Sequence, residues 1–278
     1  MKKLIAVLSA VITLLCSCEK PLVESESLDK DVVDGKFTGY VYNYGFCEEP
    51  NYWYRFENYQ QRIDEFQIPE EALAKLTTEG LSHTCMYYPL RWDFIVWGGF
   101  STSSYDGILS IIDNYNGLTE LSKRKYGPGA LLKLYENLRP DVTEAKTILY
   151  KGEISNVNSF MDRNYLELLL STEYFTPKMS IEQLDRLSGS IVSMTNYYFE
   201  NPDSHSYFPS FGYPYCALCR VLIVKSNKNI VALTDIEKSM LAFFIRWAGR
   251  VSPDDNTAIL KILSDKVPGL NTPAIISV

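Results

Sequence analysis

The chain has 278 residues, with 34 acidic against 27 basic side chains and a net charge of −7. A net negative chain whose strongest basic run is only Lys123-Arg124-Lys125 makes a poor nucleic-acid partner, because phosphate contacts supply most of that affinity. Two histidines and six cysteines leave little material for imidazole catalysis or a paired zinc motif.

Lys2 and Lys3 precede an apolar stretch over residues 4–15, interrupted only by Ser9 and Thr13. A membrane span needs about 20 apolar residues, so this length suits the core of a signal peptide. A small residue must stand before the cleaved bond. Cleavage before Cys18 places Ser17 there, whereas cleavage before Cys16 would place Leu15. The run Leu15-Cys16-Ser17-Cys18 therefore resembles the lipobox of bacterial lipoproteins. That resemblance implies a thioether-linked diacylglycerol and an acylated amine on Cys18, hence stable anchoring in the cell envelope by several chains. The expected address is the outer membrane, with the leaflet left open. Loss of residues 1–17 would leave 25 basic against 34 acidic residues, a net charge of −9.

Residues 18–35 are charged and poor in large side chains, which predicts a flexible tether. In "KFTGYVYNYGF", residues 36–46, Tyr40, Tyr42 and Tyr44 alternate with the period of a strand. Two glycines and the lack of an evident partner limit this to a short edge strand. The runs Ile68-Pro69-Glu70-Glu71, Thr77-Thr78-Glu79-Gly80-Leu81 and Thr84-Cys85-Met86-Tyr87-Tyr88-Pro89-Leu90 make residues 35–140 similar to uncharacterised lipoproteins of Bacteroidota. The similarity implies a habitat and no chemistry.

Helical signals follow. Pro69 with Glu70 and Glu71 suits a first turn, where no N–H is missed and the dipole favours negative charge. Lys123-Arg124-Lys125 reads as the cationic last turn of a helix closed by Gly127-Pro128. Shorter periodic segments lie near 78–88, 104–115, 117–125, 128–138, 143–150, 158–173 and 213–226. Over residues 182–198, Leu184, Leu187, Ile191, Met194 and Tyr198 form one stripe. Thr234-Asp235-Ile236-Glu237 predicts a capping box, after which Ile236, Met240, Phe243 and Trp247 follow one face up to Gly249. Ser252 with Pro253 predicts the cap and first turn of the last helix. Together these predict an all-α fold. The expected form is an irregular, solenoid-like array of antiparallel helix pairs without a true repeat, spanning residues 36–278 as one globular domain.

Among groups that carry chemistry, Cys216-Ala217-Leu218-Cys219 is the sharpest. If Pro214 opens a helix, Cys216 lies in its first turn, where the helix dipole and adjacent Arg220 favour a thiolate. That spacing suits a thiol–disulfide oxidoreductase. No strand–helix–strand pattern surrounds it, Tyr215 stands where tryptophan is usual, and no histidine follows Cys219. Two small side chains on a packed helix explain the pair equally simply. His83, His205, Cys47 and Cys85 do not complete a tetrahedral metal set, and no cofactor motif is present. Plentiful carboxylates permit a glycosidase, whose facing acid pair sequence spacing cannot display.

Two aromatic crowds remain, one running from Phe37 to Tyr59 and one from Tyr207 to Tyr215. Trp53, Tyr54, Tyr207 and Phe211 are the candidate ligand contacts, since such rings pair a broad apolar face with a polar handle. The expected function is a non-enzymatic binding or scaffolding module tethered to the membrane through its lipid. Its ligand would be a glycan or an envelope protein. The enzymatic alternatives are the thiol oxidoreductase and the carboxylate glycosidase.

Overall fold

A computed structural model describes residues 32–33, 36–44, 52–91, 104–138, 160–201 and 212–271. The fold is all-α. Eleven α-helices run through the described residues: α1 (Tyr59–Glu65), α2 (Glu70–Leu73), α3 (Thr78–Met86), α4 (Ser104–Asn114), α5 (Asn116–Lys123), α6 (Gly127–Glu136), α7 (Phe160–Ser171), α8 (Ile181–Glu200), α9 (Tyr213–Asn227), α10 (Asp235–Arg246) and α11 (Pro253–Lys266). Two single 3-10 turns, Tyr52–Arg55 and Thr176–Lys178, precede α1 and α8.

Helix starts follow local chemistry. Thr77, Ser180, Thr234 and Ser252 each accept a backbone N–H three residues on, satisfying donors that have no partner inside the helix. Ser180 with Gln183 and Thr234 with Glu237 complete full capping boxes. Pro69 is itself the cap of α2, one place earlier than a first-turn proline. Gly127-Pro128 does not merely close α5; it forms the first turn of α6.

Helix stops hold a surprise. The Gly249 N–H reaches Phe244 O at 3.0 Å and the Ala248 N–H reaches Ile245 O at 2.9 Å, the paired bonds of a Schellman stop. The left-handed residue in it is Ala248, at φ 50°, with Gly249 following at φ 80°. Asn229, at φ 58°, ends α9 by the same device.

The core is a hub of two helices. Helix α7 packs most extensively on α9, although the whole of α8 separates them in sequence. Every residue of the 162–172 stretch is buried. Helix α9 also contacts α8, α10 and α11, and α6 links the hub to α3 and α5. An array read only as successive pairs would miss this central contact.

The expected short N-terminal strand is present but covers only two residues of the 36–46 segment. Val32–Val33 and Lys36–Phe37 form a two-residue antiparallel pair, and residues 40–44 carry no regular secondary structure. The Tyr42 N–H instead donates to Thr84 Oγ1 on α3 at 3.0 Å, while Tyr42 and Tyr44 pack on the core. Helix α3 admits this strap because Gly80 has no side chain. A Cβ there would lie 2.3 Å from Tyr40 O, a backbone atom that cannot swing aside. Gly80→Ala should therefore cost about 1–3 kcal/mol in denaturant unfolding and sharply raise amide exchange at Tyr42. An unchanged Tyr42 exchange rate would show that the strap does not depend on this contact.

A second device ties chain segments together. Asn116 holds Ile68 through both its backbone groups, accepting from the N–H at 2.9 Å and donating to the carbonyl at 2.7 Å. Gln67 returns the same pattern to the Asn116 N–H and the Asn114 carbonyl, both at 2.8 Å. These amides do the work of a strand ladder in a loop.

Candidate functional site

The thiol pair lies deep inside the hub. Gly212, at φ 64°, starts α9, and the Cys216 N–H bonds to its carbonyl at 2.9 Å. Cys216 and Cys219 are both free and fully buried. Burial pushes both thiols up, and at Cys216 the Cys219 and Glu167 charges further oppose ionisation. Arg220 does favour the Cys219 thiolate, but desolvation outweighs it. The guanidinium is committed elsewhere, to Ser171 O at 2.6 Å, Tyr105 Oη at 3.0 Å and Glu173 at 3.4 Å. The Cys216 Sγ donates weakly to Phe244 O at 3.9 Å. A thiol in this state is a small apolar side chain with little nucleophilic character. Cys85 is likewise buried, its thiol pushed up to about 12.

The aromatic candidates divide. Tyr54 is 84% exposed. Trp53 belongs by backbone to the 3-10 turn, but its side chain lies outside the described residues, as do Tyr207, Phe211 and the lipidation candidate Cys18. In the first aromatic crowd Tyr42, Tyr44 and Phe56 pack on the core, while Tyr40 and Tyr59 are exposed like Tyr54. Tyr44 and Tyr115 share a hydroxyl–hydroxyl bond, and Tyr88 stacks on Tyr115 with centroids 4.0 Å apart. Tyr213 and Tyr215 are buried in α9.

Buried charge is concentrated around α7. The buried carboxylates among the described residues are Glu79, Asp162 and Glu167. Each faces a base: Lys133 at 2.8 Å, Arg91 at 3.4 Å and Arg163 at 3.6 Å respectively. Beside Lys133, His83 is lowered to about 4, first by burial and then by the lysine charge. Glu167 is raised to about 7 by burial, against the opposing pull of Arg163 and the Tyr135 hydroxyl. Sequence periodicity gave no hint of this polar interior, because α7 is buried on all sides and charged residues there mimic a solvated face.

Helix α10 carries the feature that changes the picture most. Leu241, Phe244, Ile245 and Ala248 are buried in the hub. The other apolar stripe points outward, with Ile236 74% exposed and both Phe243 and Trp247 47% exposed. Met240 sits half-buried between them, and the Phe243 and Trp247 centroids are 6.2 Å apart at an interplanar angle of 58°. The sequence correctly places these four residues on one face; it does not say that the helix buries the other.

Among the described residues no three histidine, cysteine or acidic side chains converge as a metal site, and no helix is long and apolar enough to cross a membrane. No protein-family model, no curated protein and no solved structure matches the chain.

Proposed function

We propose that this chain is a lipid-anchored, non-enzymatic binding module of the bacterial envelope, acylated at Cys18 and engaging a partner protein through the outer face of α10. The observation that supports the binding face is the contiguity of Ile236, Phe243 and Trp247 on one exposed helix side. Single exposed apolar residues are ordinary, whereas an unbroken stripe over three turns needs an explanation. Phenylalanine and tryptophan are the side chains that most often carry interface energy. A protein fits better than a glycan, because two rings tilted by 58° offer ridges and not one flat stacking platform. The buried thiols favour this reading over thiol–disulfide exchange.

The test places a photo-crosslinking side chain at position 243 in cells. One defined adduct should form, and Ile236→Ser with Trp247→Ser should abolish it while each costs no more than about 1 kcal/mol of stability. Intact mass of membrane-extracted protein should show acylation that Cys18→Ala removes. A soluble, unacylated wild type would overturn the anchor. Glycan capture in place of a protein adduct would overturn the partner, and thiol-dependent turnover lost in Cys216→Ser would overturn the non-enzymatic reading.

A further inference from the structure

The hub contains a titratable group that the binding face does not use. Glu167, on α7, is almost entirely buried. Its Oε1 accepts from the Tyr135 hydroxyl on α6 at 2.9 Å, and Arg163 lies one turn back with Nε at 3.6 Å, beyond hydrogen-bond length. Its Oε2 has no hydrogen-bond partner. On the facing helix α9, the Tyr215 hydroxyl is also buried without a partner. The Glu167 charge is felt there by both the Tyr215 hydroxyl and the Cys216 thiol. An ionised carboxylate in this place has one full hydrogen bond and one bare oxygen; such a group costs less when neutral.

We propose that Glu167 is a proton-operated lock between the two central helices: protonated, it lets α7 seat dry against α9, and ionised, it loosens that contact. The groups facing it are few. Arg163 comes from its own helix, Tyr135 from α6, and Tyr215 with Cys216 from α9. Nearby charges are paired elsewhere: Arg220 with Glu173, Arg91 with Asp162, and on α6 Lys133 with Glu79 and Glu136 with Arg186.

The direction of the effect follows from linkage. Glu167 titrates near 7 when folded and near the ordinary glutamate value of 4.5 when unfolded, so the folded state holds the extra proton between those limits. Stability from this group is complete below the lower limit, falls as pH rises through the window, and is gone above the upper one. His83, lowered to about 4, works in the opposite sense as pH falls. The difference between wild type and Glu167→Gln isolates the lock from that background.

The experiment is amide exchange, followed by mass spectrometry, on peptides covering α7 and α9 and corrected for intrinsic rates. Between about pH 5 and about pH 8, wild-type protection there should fall more than roughly tenfold, the limit for one proton being about tenfold per unit. Glu167→Gln, which keeps an acceptor for Tyr135 but cannot ionise, should show no such fall. Tyr135→Phe removes the one hydrogen bond to the carboxylate, so its midpoint should move to higher pH. Equal pH dependence in the Gln variant would overturn the lock. If that variant does not fold, a Tyr135→Phe midpoint that stays put or moves down overturns it instead, and an upward move supports it.

Discussion

Phe244→Ala should lower unfolding stability by about 3–5 kcal/mol, the usual range for deleting a fully buried ring. Phe244 is 1% exposed, and its ring lies against the start of α9, where a Cβ on Gly212 would meet its Cζ at 3.4 Å. Its carbonyl accepts both the Gly249 N–H that closes the helix and the Cys216 thiol. The adjacent change, Phe243→Ala, should cost about 1 kcal/mol or less, because roughly half of that ring is already in water. Urea unfolding of the two variants compares neighbours of identical chemistry. Equal losses would mean that α10 is rotated and that the outward stripe is not free for a partner.

Asp162→Ala should be nearly as damaging, at about 3–5 kcal/mol, since it removes the carboxylate facing a buried guanidinium. Arg91 is 5% exposed and Asp162 2% exposed, with Nη2 and Oδ1 3.4 Å apart. Burial already lowers the Arg91 pKa, and the Asp162 charge resists that lowering. The Tyr87 ring, 6.0 Å from the guanidinium carbon, compensates only weakly. The double variant Arg91→Met with Asp162→Leu should then lose less than the sum of its single changes, by about 1–3 kcal/mol. Strict additivity in chemical denaturation would show that the pair is not coupled. The pair matters for the fold because it joins the turn after α3 to the start of α7.

Much of the helix content is written locally. Thr234 with Glu237, and Ser252 before Pro253, announce helix starts that depend only on residues within one turn. Leu184, Leu187, Ile191 and Met194 repeat at helical spacing and are all buried, because α8 has one apolar side and so one possible orientation. Helix α1 left a weaker trace: its single buried side chain, Ile63, makes no period, and its start rests on Asn58 alone.

The candidate sites were less legible, for a physical reason common to them. Cys216 and Cys219 have a reactive spacing, but a thiol's pKa is set by what surrounds it, and α9 is enclosed by four other helices. Glu167 looks like any helical acid until α6 and α9 close over it. Helix α10 has two apolar stripes, and local sequence weighs them alike.

Neighbours within a few residues specify most of the helices, the Thr234 capping box, the Ser252 cap and the segment resembling a lipobox, but not α1 or the Ser180 cap. Packing between distant helices places α7 and α9 at the centre, buries the thiols and Glu167 within it, and turns Phe244 in while Phe243 faces out. Burial is a property of the whole chain: which stripe meets the core depends on the shape left by helices distant in sequence.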